Sequence, residues 1–97
     1  MFDTQLMGKA EEILSIGRER HLRIAAAESC TGGLIAALLT EIPGSSSVIG
    51  RSFVTYSNRA KREVLGVDVD ILKEHGAVSE AVVGAMARNT FEMTTAH

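Results

Sequence analysis

The stretch Leu-Arg-Ile-Ala-Ala-Ala-Glu-Ser-Cys-Thr-Gly-Gly, residues 22–33, decides how the chain is read. Residues 22–27 form a short apolar run without strict polar alternation, the pattern of a strand buried on both faces. Alanine is a weak strand former, so burial rather than propensity has to make this strand. From Thr31 the pattern turns helical, through Gly-Gly-Leu-Ile-Ala-Ala-Leu-Leu-Thr-Glu-Ile, and stops at Pro43 and Gly44. A strand that runs directly into such a turn puts Ser29 at the strand's C-terminal end, the edge where open α/β sheets bind ligands.

Upstream, residues 3–20 set Leu6, Ala10, Ile13, Leu14 and Gly17 on one helical face, with Asp3 or Thr4 as N-cap. Downstream, residues 45–47 are a polar loop, and Arg-Ser-Phe-Val-Thr-Tyr-Ser, residues 51–57, is the clearest strand. Asn58 is a natural N-cap for a short helix through Leu65, with Gly66 just past its end. A further helix is predicted over residues 68–74, ending at His75 and Gly76, and Ser79 caps a final one. The order helix, strand, helix, strand, helices defines an α/β chain in which two parallel strands are joined by a right-handed crossover. Two parallel strands are too few for a stable isolated sheet. Further strands are therefore expected from another chain or from a longer domain of which this is the first part, and the unpaired edges predict a homo-oligomer.

Composition narrows the function. With 97 residues the chain is one small domain, and 10 Lys and Arg against 12 Asp and Glu leave no basic excess for a nucleic-acid surface. Aromatic residues at 4% and the absence of Trp argue against a base-stacking platform. Cys30 is the single cysteine, which excludes an internal disulfide. His21, His75 and His97 lack the spacing of metal ligands. No basic segment followed by an apolar run marks a signal peptide, and the longest apolar stretch, residues 34–39, is far too short for a membrane span. The expected compartment is the cytoplasm.

Glycines after Ser29 let the backbone approach a ligand, and free N–H groups at a helix start favour an oxyanion. The plainer reading is that Ser29 or Thr31 only caps the helix. The segment is neither a phosphate-binding loop, since no lysine follows the glycines, nor a G-x-S-x-G elbow. Cys30 is a rival nucleophile, because a helix start lowers a thiol's pKa, but no histidine is placed to serve it. Ser29 needs a base. His21 precedes the first strand at the wrong end, and His75 sits beside a helix-ending glycine. Lys61, one turn into the helix after the second strand, emerges at the same edge as Ser29. If buried there it would titrate low enough to act as base, in a Ser–Lys pair; otherwise it is a solvated helix lysine.

Five motifs in order and in register carry a resemblance: A-E-S-C-T-G-G (residues 27–33), P-G-S-S (43–46), F-V-T-Y-S-N-R-A-K (53–61), L-G-V (65–67) and H-G-A-V-S-E (75–80). The chain resembles the CinA C-terminal domain family of bacteria, which includes the nicotinamide-nucleotide amidases. The resemblance implies a three-layer α/β/α fold with a largely parallel sheet, truncated here after two strands and their helices. Residues 1–97 would then be a single CinA-like amidase domain, incomplete at the C-terminus, since the family's later T-G-I-A-G-P-type turn and K-P-V-G-T-V-type strand are missing. It also implies hydrolysis of nicotinamide mononucleotide to nicotinate mononucleotide and ammonia, with no metal and no organic cofactor. By motif, Ser29 is the nucleophile and Lys61 its base, with Tyr56 orienting or relaying a proton. Glu28, Cys30, Thr31, Gly32 and Gly33 form the substrate turn, whose N–H groups hold the oxyanion, and Ser45 and Ser46 help bind the nucleotide.

Overall fold

A computed structural model describes residues 2–97. Helix α1 spans Thr4–Glu19, and Asp3 accepts a hydrogen bond from the Leu6 N–H as its N-cap. Its buried residues are Ala10, Leu14 and Gly17, while Leu6 and Ile13 are largely exposed. The helix is thus turned so that the smaller side of the expected face packs inward. Gly17 explains the turn, because Val48 lies directly against it: a Cβ at Gly17 would sit 2.7 Å from Val48 Cγ1.

Strand β1 (Ile24–Glu28) and strand β2 (Ile49–Val54) pair in parallel as a two-stranded sheet. Ile24 pairs with Ile49 and Ala25 with Arg51, so Gly50 is the extra residue of a bulge. β1 is half-buried along most of its length, not enclosed on both faces as its apolar pattern predicts, because among the described residues no strand lies beside one of its edges. β2 starts two residues before the expected strand and stops at Val54; residues 55–57 leave the ladder for the next helix.

Helix α2 (Leu34–Thr40) begins three residues later than its apolar pattern suggests. Gly32 and Gly33 have φ of 62° and 111°, left-handed values that break a right-handed helix. A single 3-10 turn at Ser45–Ser47 leads into β2. Helix α3 (Asn58–Leu65) is capped by Ser57, whose hydroxyl accepts from Ala60 N–H; Asn58 is the first helical residue rather than the cap. Gly66 ends it in a left-handed conformation, as expected. Helices α4 (Val69–His75) and α5 (Glu80–Met93) are capped by Asp68 and Ser79.

Two apolar clusters flank the sheet. Ala10, Leu14, Leu39, Ile42 and Val48 pack with Ile24 and Ile49; Leu65, Val67, Leu72, Val82, Ala85 and Met86 pack with Ala27 and Phe53. Ile24 and Ala27 point to opposite faces of β1, so α1 and α2 cover one face and α3, α4 and α5 the other. This is the three-layer α/β/α arrangement. Asn89 on α5 donates to the Leu65 carbonyl at 2.7 Å and ties the end of α3 in place.

Candidate active site

The C-terminal ends of β1 and β2 lie side by side, and the ladder runs on past them: Thr55 N–H donates to the Glu28 carbonyl at 2.9 Å. That bond fixes the start of the 29–33 turn against the β2–α3 loop. Ser29 Oγ reaches the Tyr56 carbonyl at 3.5 Å. Lys61, on the first turn of α3, is only 1% exposed, and its Nζ donates to that same carbonyl at 3.2 Å. The hydroxyl and the amine therefore share one acceptor. Among the described residues no carboxylate lies within ion-pair distance of Lys61 Nζ. The solvated-lysine reading of Lys61 is excluded by its burial.

The contact to Tyr56 is made by its backbone. The side chain is 72% exposed, in the loop beyond the end of β2 rather than in a strand.

Glu28 is placed unlike its expected role. It is 3% exposed, and its carboxylate is taken up by the turn and helix that follow. Oε1 accepts from the Thr31 hydroxyl at 2.6 Å and from the N–H groups of Gly33 and Ile35 at 3.0 Å, and Oε2 accepts from Ala36 N–H at 3.0 Å. Burial pushes the Glu28 carboxyl up, but the hydrogen bonds from Thr31, Ala36, Ile35 and Gly33 outweigh it and hold the group below its ordinary value. Glu28 is thus the cap of α2, reached from the preceding strand, and neither Ser29 nor Thr31 fills that position. Its oxygens are not left over for a substrate.

The same bonds reassign the oxyanion donors. Gly33 N–H goes to Glu28 and Gly32 N–H to the Ser29 carbonyl at 3.0 Å. Among the described residues, the N–H groups of Cys30 and Thr31 have no acceptor. Of the expected turn, Cys30 and Thr31 keep free donors beside Ser29; Gly32 and Gly33 supply shape.

A cavity of about 400 Å³ opens beside Ser29, lined by Cys30 and Thr31 on one side and by Ala77, Val78 and Ser79 on the other. Ile35, Val83 and Met86 give it apolar walls. Ala77 and Val78 were missed as site residues. The signal available was the H-G-A-V-S-E motif, which no chemistry singles out because its small apolar residues only shape a wall.

Ser45 and Ser46 are not brought to this site. They precede β2, and Ile24 N–H donates to the Val48 carbonyl, so they stand at the opposite, N-terminal edge of the sheet. Five strand residues separate the two edges, roughly 17 Å. Ser46 instead lines a second cavity of about 480 Å³ with Arg23 and Arg51, and Arg23 Nη1 donates to its carbonyl. Ser45 is buried within the 3-10 turn.

A parallel α/β sheet whose C-terminal edge carries a serine at a tight turn, a buried lysine beside it and an adjoining cavity is the frame of the candidate site. Residues 7–97 match the CinA C-terminal domain, and the chain belongs to that family. It is 47% identical over 87 residues to the nicotinamide-nucleotide amidohydrolase PncC of Escherichia coli (strain K12), covering 90% of this chain and 53% of that protein. It is 50% identical over 94 residues to a CinA-like protein of Chloroherpeton thalassium, covering 97% of this chain and 22% of the relative. The crystal structure of the competence/damage inducible protein CihA from Agrobacterium tumefaciens superposes with a TM-score of 0.96 at 44% identity, over 99% of this chain and 58% of that one. A CinA superfamily protein from Escherichia coli gives a TM-score of 0.91 at 30% identity, over 99% and 57%. The chain thus spans little more than half the length of these shorter relatives. Among the described residues, no helix is long and apolar enough to cross a membrane.

Proposed function

We propose that this chain is an amidohydrolase that converts nicotinamide mononucleotide to nicotinate mononucleotide and ammonia through Ser29 and Lys61. The observation that carries the reading is the shared Tyr56 carbonyl, which holds a nucleophile and a buried amine together at one sheet edge. The relative named a nicotinamide-nucleotide amidohydrolase supports the substrate class.

In this mechanism Ser29 Oγ leaves the Tyr56 carbonyl and attacks the carboxamide carbon while Lys61 Nζ takes the hydroxyl proton. The N–H groups of Cys30 and Thr31 receive the oxyanion. Collapse of the tetrahedral intermediate breaks the C–N bond, and Lys61 returns the proton to the leaving nitrogen, which departs as ammonia. Water then attacks the acyl ester, with Lys61 again as base, releasing the acid and restoring Ser29. Tyr56, anchored through its carbonyl, presents its exposed phenol at the same edge to orient substrate or relay a proton. The cavity walled by Ile35, Val83 and Met86 suits the flat pyridine ring. The compartment is the cytoplasm, and the unpaired β1 edge drives self-association into a homo-oligomer, which a concentration-independent monomer by light scattering would contradict.

The test is release of ammonia and nicotinate mononucleotide from nicotinamide mononucleotide, with Ser29→Ala alongside. Release that vanishes in the variant supports the reading; release that persists refutes it. A second reading is a relative that binds nucleotide or a partner chain without turnover. Thermal stabilisation by the nucleotide without product would select it.

A further inference from the structure

Ser29 sits one residue after Glu28, and the carboxylate of Glu28 reaches over the turn to take four donors on its far side. The first three residues of the turn, Ser29, Cys30 and Thr31, are therefore held at both ends by one buried residue. At the near end the Glu28 backbone carbonyl is fixed by Thr55 N–H; at the far end the carboxylate holds Thr31 and Gly33. Glycines 32 and 33 have no Cβ to stiffen the turn, and Gly33, at the N-cap, has no side chain to cap α2. Shape in this turn comes from Glu28.

We infer that Glu28 is the positioning residue of the site: its carboxylate fixes where Ser29 Oγ stands relative to Lys61 and keeps the N–H groups of Cys30 and Thr31 pointed outward and unclaimed. The catalytic consequence rests on the amidase reading above; the geometric claim stands apart from it. Its carboxylate oxygens are engaged by the turn and helix, so Glu28 acts through Ser29 and the two N–H groups. A displacement of about 1 Å at a reacting group costs on the order of 100-fold in rate. A simple helix cap would lower stability and leave the chemistry of the folded fraction alone.

Two variants separate these roles. Glu28→Gln keeps one oxygen for the Thr31 and Gly33 side but turns an NH₂ towards Ala36 N–H, and Thr31→Val removes a single bond from the exposed rim. In the 97-residue chain, assayed well below each variant's Tm, both are expected to lower kcat about 10-fold with KM close to wild type, since the lost interaction orients the attack rather than binds substrate. Amide exchange at Gly33, Ile35 and Ala36 is expected to speed up in Glu28→Gln while the β1–β2 ladder keeps its protection. Unchanged kcat in both variants, or a loss confined to KM, overturns the inference. If the wild-type chain releases no ammonia, the amidase reading fails alone. The positioning claim is then decided by the rate at which an activated phosphonate labels Ser29, followed by mass spectrometry: slower labelling in Glu28→Gln supports it, and an equal rate overturns it.

Discussion

The two edges of the sheet carry similar residues and do different things. At the C-terminal edge Ser29 shares an acceptor with a buried lysine, beside two free N–H groups and a cavity. At the N-terminal edge Ser45 and Ser46 close a 3-10 turn, the exposed Arg23 donates to a carbonyl, and Val48 packs on Gly17. The difference comes from backbone direction. Parallel strands bring the loops that follow them to one end and those that precede them to the other, so a serine's chemistry is set by which side of its strand it occupies.

The largest effect expected is the loss of turnover in Ser29→Ala and Lys61→Ala, each by at least about 10³-fold with the thermal melt retained for Ser29→Ala. Steady-state ammonia release checks it. If Lys61→Ala keeps activity, the C-terminal edge loses its base and the contrast between the edges collapses.

The next prediction lies at the other edge. Gly17→Ala forces a methyl against Val48 and is expected to destabilise by about 1–3 kcal/mol, read from urea unfolding, without changing kcat in the folded fraction. A neutral result would mean that α1 is free to shift on the sheet.

Acid sharpens the comparison through Glu28, at the C-terminal edge. The Glu28 carboxyl is held below its ordinary value in the folded chain. Its contribution is fully present above the unfolded carboxyl pKa of about 4.3 and is lost as pH falls through the lower folded value. The wild-type Tm should therefore drop more steeply than that of Glu28→Gln as pH is lowered through this window. Parallel Tm profiles would show that the Glu28 bonds contribute nothing.

The smallest effect is expected from Ser46→Ala, whose side chain is exposed at the far edge: turnover of nicotinamide mononucleotide should stay at the wild-type level. A marked rise in KM would return Ser46 to the substrate site, which one chain alone cannot do.

Elements with local caps were the legible part of the sequence. Asp3, Asp68 and Ser79 each accept from an N–H two or three residues on, and the helices they start were readable from those short spacings. The start of α2 was hidden because its cap reaches forward from a strand residue five to eight positions upstream. A carboxylate ending a strand before two glycines reads as a ligand group until the fold shows its donors. The bulge at Gly50 moved β2, since an unpaired glycine leaves no trace in an alternation pattern. Of the candidate site, the meeting of Ser29 and Lys61 at one edge was readable from strand direction, and the same argument applied to the loop before β2 would have put Ser45 and Ser46 at the other edge. Val78 and Ala77 were not readable, because a cavity wall needs only size and position.

The most direct test sets the two edges side by side: ammonia release from nicotinamide mononucleotide by the wild-type chain, Ser29→Ala and Ser46→Ala at equal folded concentration. Full release from wild type and Ser46→Ala with none from Ser29→Ala is the predicted result. Release that survives in Ser29→Ala, or that disappears in Ser46→Ala, would contradict the assignment of the chemistry to the C-terminal edge.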